Sequence, residues 1–210
     1  MSTESRKSEA ASRRWNLMAP FYDPLLGLVE RGYSRWRELL WSKAEGQNVL
    51  EVGVGTGKNF SYYPPDAEIT AVDFSPKMLG RARKKAARQG VKVVLQQMDV
   101  QHLLFADNTF DTVVASYVFC SVRDPVRGLK EIERVCKPGC RVLLLEHVLS
   151  PGRITGALMN LANPVLVFLF GEYVNRRTAE NVARSGLVVE KVTGLAAGVF
   201  QLIEARKKPG

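Results

Sequence analysis

The sequence predicts an α/β domain in which seven strands form a mostly parallel sheet. Seven short runs rich in β-branched residues lie along the chain, and helical patterns of about 10–15 residues separate several of them. This alternation is typical of βαβ units, whose strands share one parallel sheet. The last two runs are joined only by the short LAAG link, so we expect an antiparallel pair that closes the sheet. The chain has 210 residues, 46% hydrophobic and 24% charged, which suits one globular domain.

The elements follow one another in a clear order. The predicted strands are NVLEVG, EITAVD, VKVVLQQMD, FDTVVASYV, CRVLLLEHVL, LVVEKVT and VFQLIEARK. One helical pattern follows Gly57; a second begins at the Ser75-Pro76 pair and ends at Gly90, and a third begins at Asp124. We expect these helices to cover both faces of the sheet, with inner positions at Leu79, Ala82, Ala86, Leu129, Ile132 and Val135.

Two regions stand apart from the predicted core at 46–210. We expect residues 1–45 to form an N-terminal helical cap, and basic residues lie beside Trp and Leu in this part of the sequence, a mixture suited to a membrane surface. An apolar insert at about 151–175 carries no charge from Ile154 to Gly171. Asn160, Asn163 and Pro164 interrupt it, so we expect a buried or membrane-facing hairpin, since a spanning helix needs about 20 apolar residues.

Composition narrows the partners. Thirty Lys and Arg against 21 Asp and Glu give a net charge of +9, which favours anionic partners such as phospholipid surfaces or nucleic acid. The three cysteines show neither CxxC spacing nor a His cluster, so we expect no disulfide framework, no metal site and a reducing cytoplasm. The charged, Ser-rich start lacks the apolar segment of a signal peptide.

The strongest local pattern is a glycine loop after the first predicted strand. Gly53, Gly55 and Gly57 alternate at the strand end, so the backbone there can approach a ligand closely. Lys58 stands where a dinucleotide fingerprint requires glycine, and Asn59 stands where a P-loop requires Ser or Thr. The loop therefore predicts a nucleotide-type site that favours a cationic ligand tail over a pyrophosphate.

Two acids end the next two strands. Asp73 is placed to accept both hydroxyls of a ribose, with a helix cap as its alternative role. Asp99 stands between Met98 and Val100, where it would accept an adenine amino hydrogen; its alternative role is that of a turn residue. Both acids behind one glycine loop favour ligand binding.

From about residue 46 to the end, the chain resembles the class I S-adenosylmethionine-dependent methyltransferases. The resemblance rests on the segments EVGVGTG, AVD, QMD, FDTVVASYV, RVCKPGC and RVLLLEHV. The resemblance implies a Rossmann-like fold, a seven-stranded sheet and S-adenosylmethionine as cofactor. The small Val54 departs from the commoner Cys or Ala of the family. Carried over, the cofactor-binding residues are Glu51, Gly53, Gly55, Gly57, Asp73, Phe74, Met78, Met98, Asp99, Val100 and Ser116.

A narrower resemblance links the chain to the branch with quinone C-methyltransferases and bacterial phosphatidylethanolamine N-methyltransferases. It rests on RWNLMAPFYD at 14–23 and EHV at 146–148. It implies phosphatidylethanolamine as acceptor, with a prenylated quinone ring as the alternative. The stretches NFSYYPPDAEITAVD and NRRTAENVARSGL look like those of membrane-associated thiol methyltransferases, so a small thiol is a further alternative. A non-catalytic cofactor-binding membrane protein is the alternative of another class.

Few residues are chemically obligatory, since in-line methyl transfer depends mainly on alignment. An ethanolamine ammonium must first lose a proton, and Glu146 or His147 is placed to take it. Consecutive strand residues point to opposite faces, so only one of the two reaches the pocket; the alternative for His147 is an edge histidine bound to backbone. The resemblance makes Tyr22 an active-site phenol, with a core tyrosine as the alternative.

The substrate is expected to meet the apolar insert and the residues after it. Acyl chains would lie on the insert while Arg176 and Arg177 pair with a phosphate, and Tyr117 and Tyr173 are further candidate contacts. The alternative is a hydrophobic helix pair packed on the sheet beside a solvated arginine pair. We expect a monomeric cytoplasmic protein, peripherally bound to the inner face of the cell membrane, with a lipid or other amphiphilic substrate and no nucleic-acid partner.

Overall fold

The computed structural model describes residues 32–171 and 173–209. Its strands are β1 (Asn48–Val52), β2 (Glu68–Asp73), β3 (Val94–Gln97), β4 (Phe110–Ser116), β5 (Cys136–His147), β6 (Val188–Leu195) and β7 (Phe200–Arg206). They form one sheet in the order β3-β2-β1-β4-β5-β7-β6. The pairs among β1 to β5 are parallel, and β7 is antiparallel to both β5 and β6. The predicted fold class is confirmed.

Five α-helices accompany the sheet in the described part of the chain: α1 (32–41), α2 (Pro76–Gln89), α3 (Pro125–Val135), α4 (Arg153–Phe170) and α5 (Thr178–Arg184). The predicted start of α2 is confirmed, because the Ser75 hydroxyl accepts the Met78 amide at 3.2 Å. Its end is confirmed at Gly90, which has a left-handed φ of 67°. Asp124 caps α3 by accepting the Arg127 amide at 3.0 Å.

The core lies on both faces of the sheet. On one face, Leu40 and Trp41 of α1 pack on Val49 and Val114; on the other, α3 packs on Leu50. Burial of each such side chain stabilises the fold by about 1.5–3 kcal/mol. The predicted inner positions of the helices are all buried, namely Leu79, Ala82, Ala86, Leu129, Ile132 and Val135.

The helix predicted after Gly57 is wrong. A single 3-10 turn, Phe60–Tyr62, follows the glycine loop instead. Pro64 and Pro65 come directly after Tyr63 and lack the backbone N–H that a continuing helix would need. The chain therefore returns to the sheet after one short turn.

The hairpin or helix pair predicted within residues 151–175 is also wrong, because α4 runs unbroken through Pro164. The two asparagines that suggested a break instead attach the helix to the following segment. Asn163 Oδ1 accepts the Val174 amide at 3.1 Å, and Asn160 Oδ1 accepts the Asn175 side-chain amide at 3.0 Å. No helix in the described ranges is long and apolar enough to cross a membrane.

Candidate active site

A cleft opens at the carboxyl edge of the sheet, where β1, β2 and β4 end. Because parallel strands end on one edge, residues distant in sequence meet there. The cleft encloses about 820 Å³, including its open mouth. All predicted cofactor residues except Glu51 and Gly57 line it. The complete lining is Val52, Gly53, Gly55, Val72, Asp73, Phe74, Met78, Met98, Asp99, Val100, Gln101, Ser116, Tyr117, Val118, Ser121, Val122 and Arg123.

The three glycines of the loop have different roles. All three have positive φ, at 71°, 55° and 80° in chain order. A Cβ on Gly53 would lie 2.3 Å from Cγ2 of Val118, and one on Gly57 would lie 2.4 Å from the Phe60 ring. A Cβ on Gly55 would meet no atom within 4 Å, and Gly55 lines the cleft. Packing thus requires the outer two glycines, whereas the middle one leaves room for a ligand.

Asp73 joins the glycine loop to the start of α2. One carboxylate oxygen accepts the Gly55 amide and the other accepts the Ser75 amide, both at 2.8 Å. Burial raises the pKa of Asp73 to about 6, although the two amide bonds oppose the rise. Ser75 rather than Asp73 caps the helix. Each carboxylate oxygen offers more than one lone pair, so the group still has acceptor capacity for ribose hydroxyls.

Asp99 combines the turn role and the cleft position. Its Oδ1 accepts the backbone amide of Gln101 at 2.9 Å and the side-chain amide of the same residue at 3.0 Å. Met98 and Val100 line the cleft on either side in sequence, which supplies apolar surface for a flat ring. Gln101 and Arg123 also line this part, and no motif pointed to them.

Glu51 lies behind the cleft in a buried polar cluster. Its carboxylate accepts the Asn59 side-chain amide at 2.6 Å and the Tyr63 hydroxyl. Burial raises the pKa of Glu51 to about 7, while these bonds and the nearby Arg37 charge lower it. The structure places Glu51 outside the cleft lining, so its contact with the cofactor stays a prediction, as does that of Gly57.

Arg37 is the member of this cluster that sequence reasoning missed. It is only 5% exposed, and its Nη1 donates to Asn59 Oδ1 at 2.7 Å and to Ser116 Oγ at 3.0 Å. Its guanidinium also lies 5.0 Å from the Tyr117 ring centroid. Helix α1 is thereby tied to two residues of the cleft wall. An arginine on a helix rich in charged residues is expected to face solvent, so no local sequence pattern predicted this role.

Glu146 shapes the loop that follows β4. Its carboxylate is fully buried and accepts the Val118 amide at 3.0 Å and the Phe119 amide at 3.2 Å. Burial raises the pKa of Glu146 to about 7, and its backbone hydrogen bonds oppose the rise. Since Val118 lines the cleft, Glu146 acts on the site by holding this loop. A direct catalytic role for Glu146 stays a prediction.

His147 points away from Glu146 into an aromatic cluster. Its ring meets Phe200 edge-on at 5.1 Å, and Phe200 contacts the Tyr117 ring at 5.9 Å. Burial lowers the pKa of His147, so the ring is neutral near pH 7. Tyr117 lines the cleft and has a positive φ of 59°, a conformation that costs roughly 1–3 kcal/mol and often marks functional sites. Tyr22 lies outside the described residues.

The two candidate phosphate-binding arginines differ in position. Arg176 Nη2 donates to the Val122 carbonyl at 2.7 Å, and its guanidinium stacks on Tyr173 at 3.9 Å. Val122 lines the cleft, so Arg176 and Tyr173 stand beside its wall. Arg177 is exposed and pairs with Glu180 at 3.3 Å. Their substrate roles stay predictions.

The sheet order defines an α/β protein of the Rossmann-like kind with a cleft at the carboxyl edge of its sheet. The methyltransferase domain family matches residues 50–144. The phosphatidylethanolamine N-methyltransferase of Cereibacter sphaeroides is 41% identical over 141 residues, 66% of this chain and 68% of the relative. The ubiquinone/menaquinone biosynthesis C-methyltransferase UbiE of Bdellovibrio bacteriovorus is 31% identical over 205 residues, 90% of this chain and 87% of the relative.

Two further likenesses complete the comparison. The thiol S-methyltransferase TMT1B of Rattus norvegicus is 33% identical over 152 residues, 65% of this chain and 62% of the relative. The structure of the YcgJ protein of Bacillus subtilis superposes with a TM-score of 0.67 at 20% identity. The match covers 83% of this chain and 98% of YcgJ, and it shows the fold alone. The chain therefore belongs to the class I S-adenosylmethionine-dependent methyltransferases. The alternative of a non-catalytic membrane protein is set aside.

The cleft fits the cofactor. The open space at Gly55 admits a ligand against bare backbone, and Asp73 and Asp99 line the same cleft, where they would accept hydrogen bonds from ribose and adenine. S-Adenosylmethionine, when bound, supplies a methyl group made electrophilic by its sulfonium. The residues that line the cleft would hold and orient the adenosine and shape the wall that an acceptor would approach.

Proposed function

We propose that the chain is a phosphatidylethanolamine N-methyltransferase acting at a membrane surface. The observation that carries the proposal is its 41% identity to the Cereibacter sphaeroides enzyme of that name. The quinone and thiol methyltransferases reach 31% and 33%. We further propose a monomer on the inner face of the cell membrane, without a nucleic-acid partner.

The acceptor would meet an aromatic wall. Tyr117 is one of the residues that line the cleft, and an aromatic face there would attract the positive charge that develops on an amine as it gains methyl groups. The phenol of Tyr22 would add a second aromatic group, as the family resemblance implies. Arg176, which stands beside Val122, would pair with the lipid phosphate at the cleft mouth.

The acceptor nitrogen must be neutral before it attacks. His147 is the better of the two candidate bases, because its ring is only half-buried, whereas the Glu146 carboxylate is fully buried and already accepts the Val118 and Phe119 amides. Its ring contacts Phe200 rather than lining the cleft, so the proton would pass through water. Glu146 would support the reaction by holding the loop at Val118 and Phe119.

A prenylated quinone is the second candidate acceptor. It is favoured by the breadth of the UbiE match, which extends over 90% of this chain. Attack by a ring carbon needs no ammonium deprotonation, and the same aromatic wall would stack on a quinol ring. A small thiol is the third candidate, on the weaker ground of the 62% coverage of the rat relative.

Transfer of labelled methyl from S-adenosylmethionine to separated lipids tests the proposal. Purified protein is incubated with vesicles of phosphatidylethanolamine, with menaquinol precursor in detergent, and with a small alkyl thiol. Label in methylated phosphatidylethanolamine is the expected result. Label only in the quinone or thiol reaction moves the assignment to that acceptor.

A further inference from the structure

We propose that the outward face of α4 is a docking surface for an anionic lipid bilayer. This inference rests on the proposed function only for the reason that the protein would bind a bilayer, since the proposed acceptor is a membrane lipid. The evidence for docking comes from the side chains of α4. Five large apolar side chains on α4 are exposed to between 58% and 79%, namely Ile154, Leu158, Leu161, Val165 and Phe168. Single exposed apolar residues are ordinary, whereas a contiguous patch marks an interaction site.

The five side chains share one face of the helix. They are spaced alternately by four and three residues, so at about 100° per residue they fall within an arc of roughly 80°. Gly156 is buried and Met159, Asn163 and Val167 are half-buried, and these positions lie on the opposite side. The helix therefore turns its more buried face to the protein and an apolar stripe outward. With 18 residues it extends about 27 Å, long enough to lie along a surface.

The inner face fixes the stripe relative to the cleft. Asn160 and Asn163 bind the segment after the helix, and in that segment Tyr173 donates its amide to the Cys120 carbonyl at 2.8 Å. Arg176 continues the connection to Val122 in the cleft wall. A bilayer held on the stripe would thus lie beside the cleft rather than on a remote part of the molecule.

Charge favours a bilayer over a second copy of the chain as the occupant. No acidic residue occurs from 147 to 171, and exposed Arg153 stands at the start of α4. The chain as a whole carries +9, so a second copy would bring more positive charge, whereas anionic headgroups neutralise it. Peripheral membrane proteins commonly bind through a helix that lies in the plane of the interface, with its apolar residues in the bilayer and basic residues near the headgroups. Helix α4 with Arg153 has this arrangement of residues.

A matched pair of substitutions tests the surface. Leu161→Glu introduces a carboxylate at the centre of the stripe, where the leucine is 78% exposed. Leu104→Glu makes the same change at a leucine that is 71% exposed outside α4. Because both sites are exposed, both variants should fold, which thermal melts and S-adenosylmethionine binding will check.

The full-length protein and both variants are floated with vesicles of phosphatidylglycerol and phosphatidylethanolamine, without cofactor. We expect Leu161→Glu to weaken vesicle binding at least tenfold and Leu104→Glu to bind as the wild type does. Equal binding by all three, or no binding by the wild type, overturns the proposal. Light scattering that shows a wild-type dimer lost only in Leu161→Glu, with vesicle binding unchanged, assigns the stripe to a second copy and overturns it too.

Turnover on dihexanoyl phosphatidylethanolamine, which is water-soluble, separates this proposal from the proposed function. If both hold, Leu161→Glu loses at least tenfold more turnover on vesicles than on the short lipid, each relative to the wild type. If the wild type binds vesicles through α4 but never methylates either lipid, the acceptor assignment fails and the docking surface stands. If the short lipid is methylated and no variant alters vesicle binding, the docking surface fails alone.

Discussion

Replacing Gly55 by alanine tests the cofactor site most directly. The added Cβ would meet no protein atom within 4 Å, so packing alone does not oppose it. Two costs remain: the positive φ of 55° disfavours any L-residue by roughly 1–2 kcal/mol, and the methyl group enters the space that a ligand would fill. The smaller unfolded-state entropy of alanine offsets about 0.4–1 kcal/mol of the backbone cost. The free energy of unfolding should therefore fall by only about 1 kcal/mol.

Gly90→Ala is the matched control for this backbone cost. Gly90 has a φ of 67°, and a Cβ there likewise meets nothing within 4 Å, but it lies at the far end of α2 from the cleft. Both variants should lose about 1 kcal/mol, or roughly 2–4 °C in melting temperature. Only Gly55→Ala should weaken S-adenosylmethionine binding, at least tenfold by titration calorimetry. Wild-type affinity in folded Gly55→Ala would refute close approach of the cofactor to this loop.

Three other changes probe the buried polar groups. Asp73→Asn should weaken cofactor binding by about 1–3 kcal/mol; wild-type affinity should fall as pH drops through about 6, the native pKa of Asp73, and calorimetry on the variant should lack that step. Glu146 has a native pKa of about 7 against an ordinary 4.5, so the unfolded chain ionises first and stability is lost as pH rises. Urea unfolding should therefore show Glu146→Gln gaining about 2–3 kcal/mol relative to wild type between pH 5 and pH 8, and a constant difference would contradict this. Arg37→Met should lower the free energy of unfolding by about 2–4 kcal/mol, because it removes two buried hydrogen bonds, whereas exposed Arg35→Met should change it by less than about 0.5 kcal/mol. Equal effects at both arginines would show that the buried contacts do not matter.

The strands and the cleft acids could be predicted because their patterns are local. Buried parallel strands need apolar runs, and Asp73 ends the run of β2, whereas Asp99 follows the half-exposed β3 after one intervening residue. Parallel strands end on one edge of the sheet, so the topology alone predicted that these two acids and Gly55 would line one cleft. The helix ends at Ser75 and Gly90 were equally local, because capping depends on one or two residues.

What the sequence did not reveal depends on tertiary contacts. Asn163 and Pro164 predicted a break in the helix. Instead, the Asn163 side chain accepts a hydrogen bond from the Val174 amide and the helix continues. Arg37 meets Ser116 across 79 residues of sequence, and no periodicity encodes a contact of that separation. Glu146 looked like a base because it ends a strand beside a histidine, yet its environment makes it an acceptor for backbone amides.

The short turn after the glycine loop has a consequence for cofactor choice. In dinucleotide-binding proteins, the N-terminus of an α-helix offers free amides and a partial positive charge to the pyrophosphate. Here Phe60–Tyr62 forms only a 3-10 turn, so the loop presents bare glycine backbone without that dipole. A glycine in place of Lys58 would complete the spacing of a dinucleotide fingerprint, but it would not supply the missing helix N-terminus.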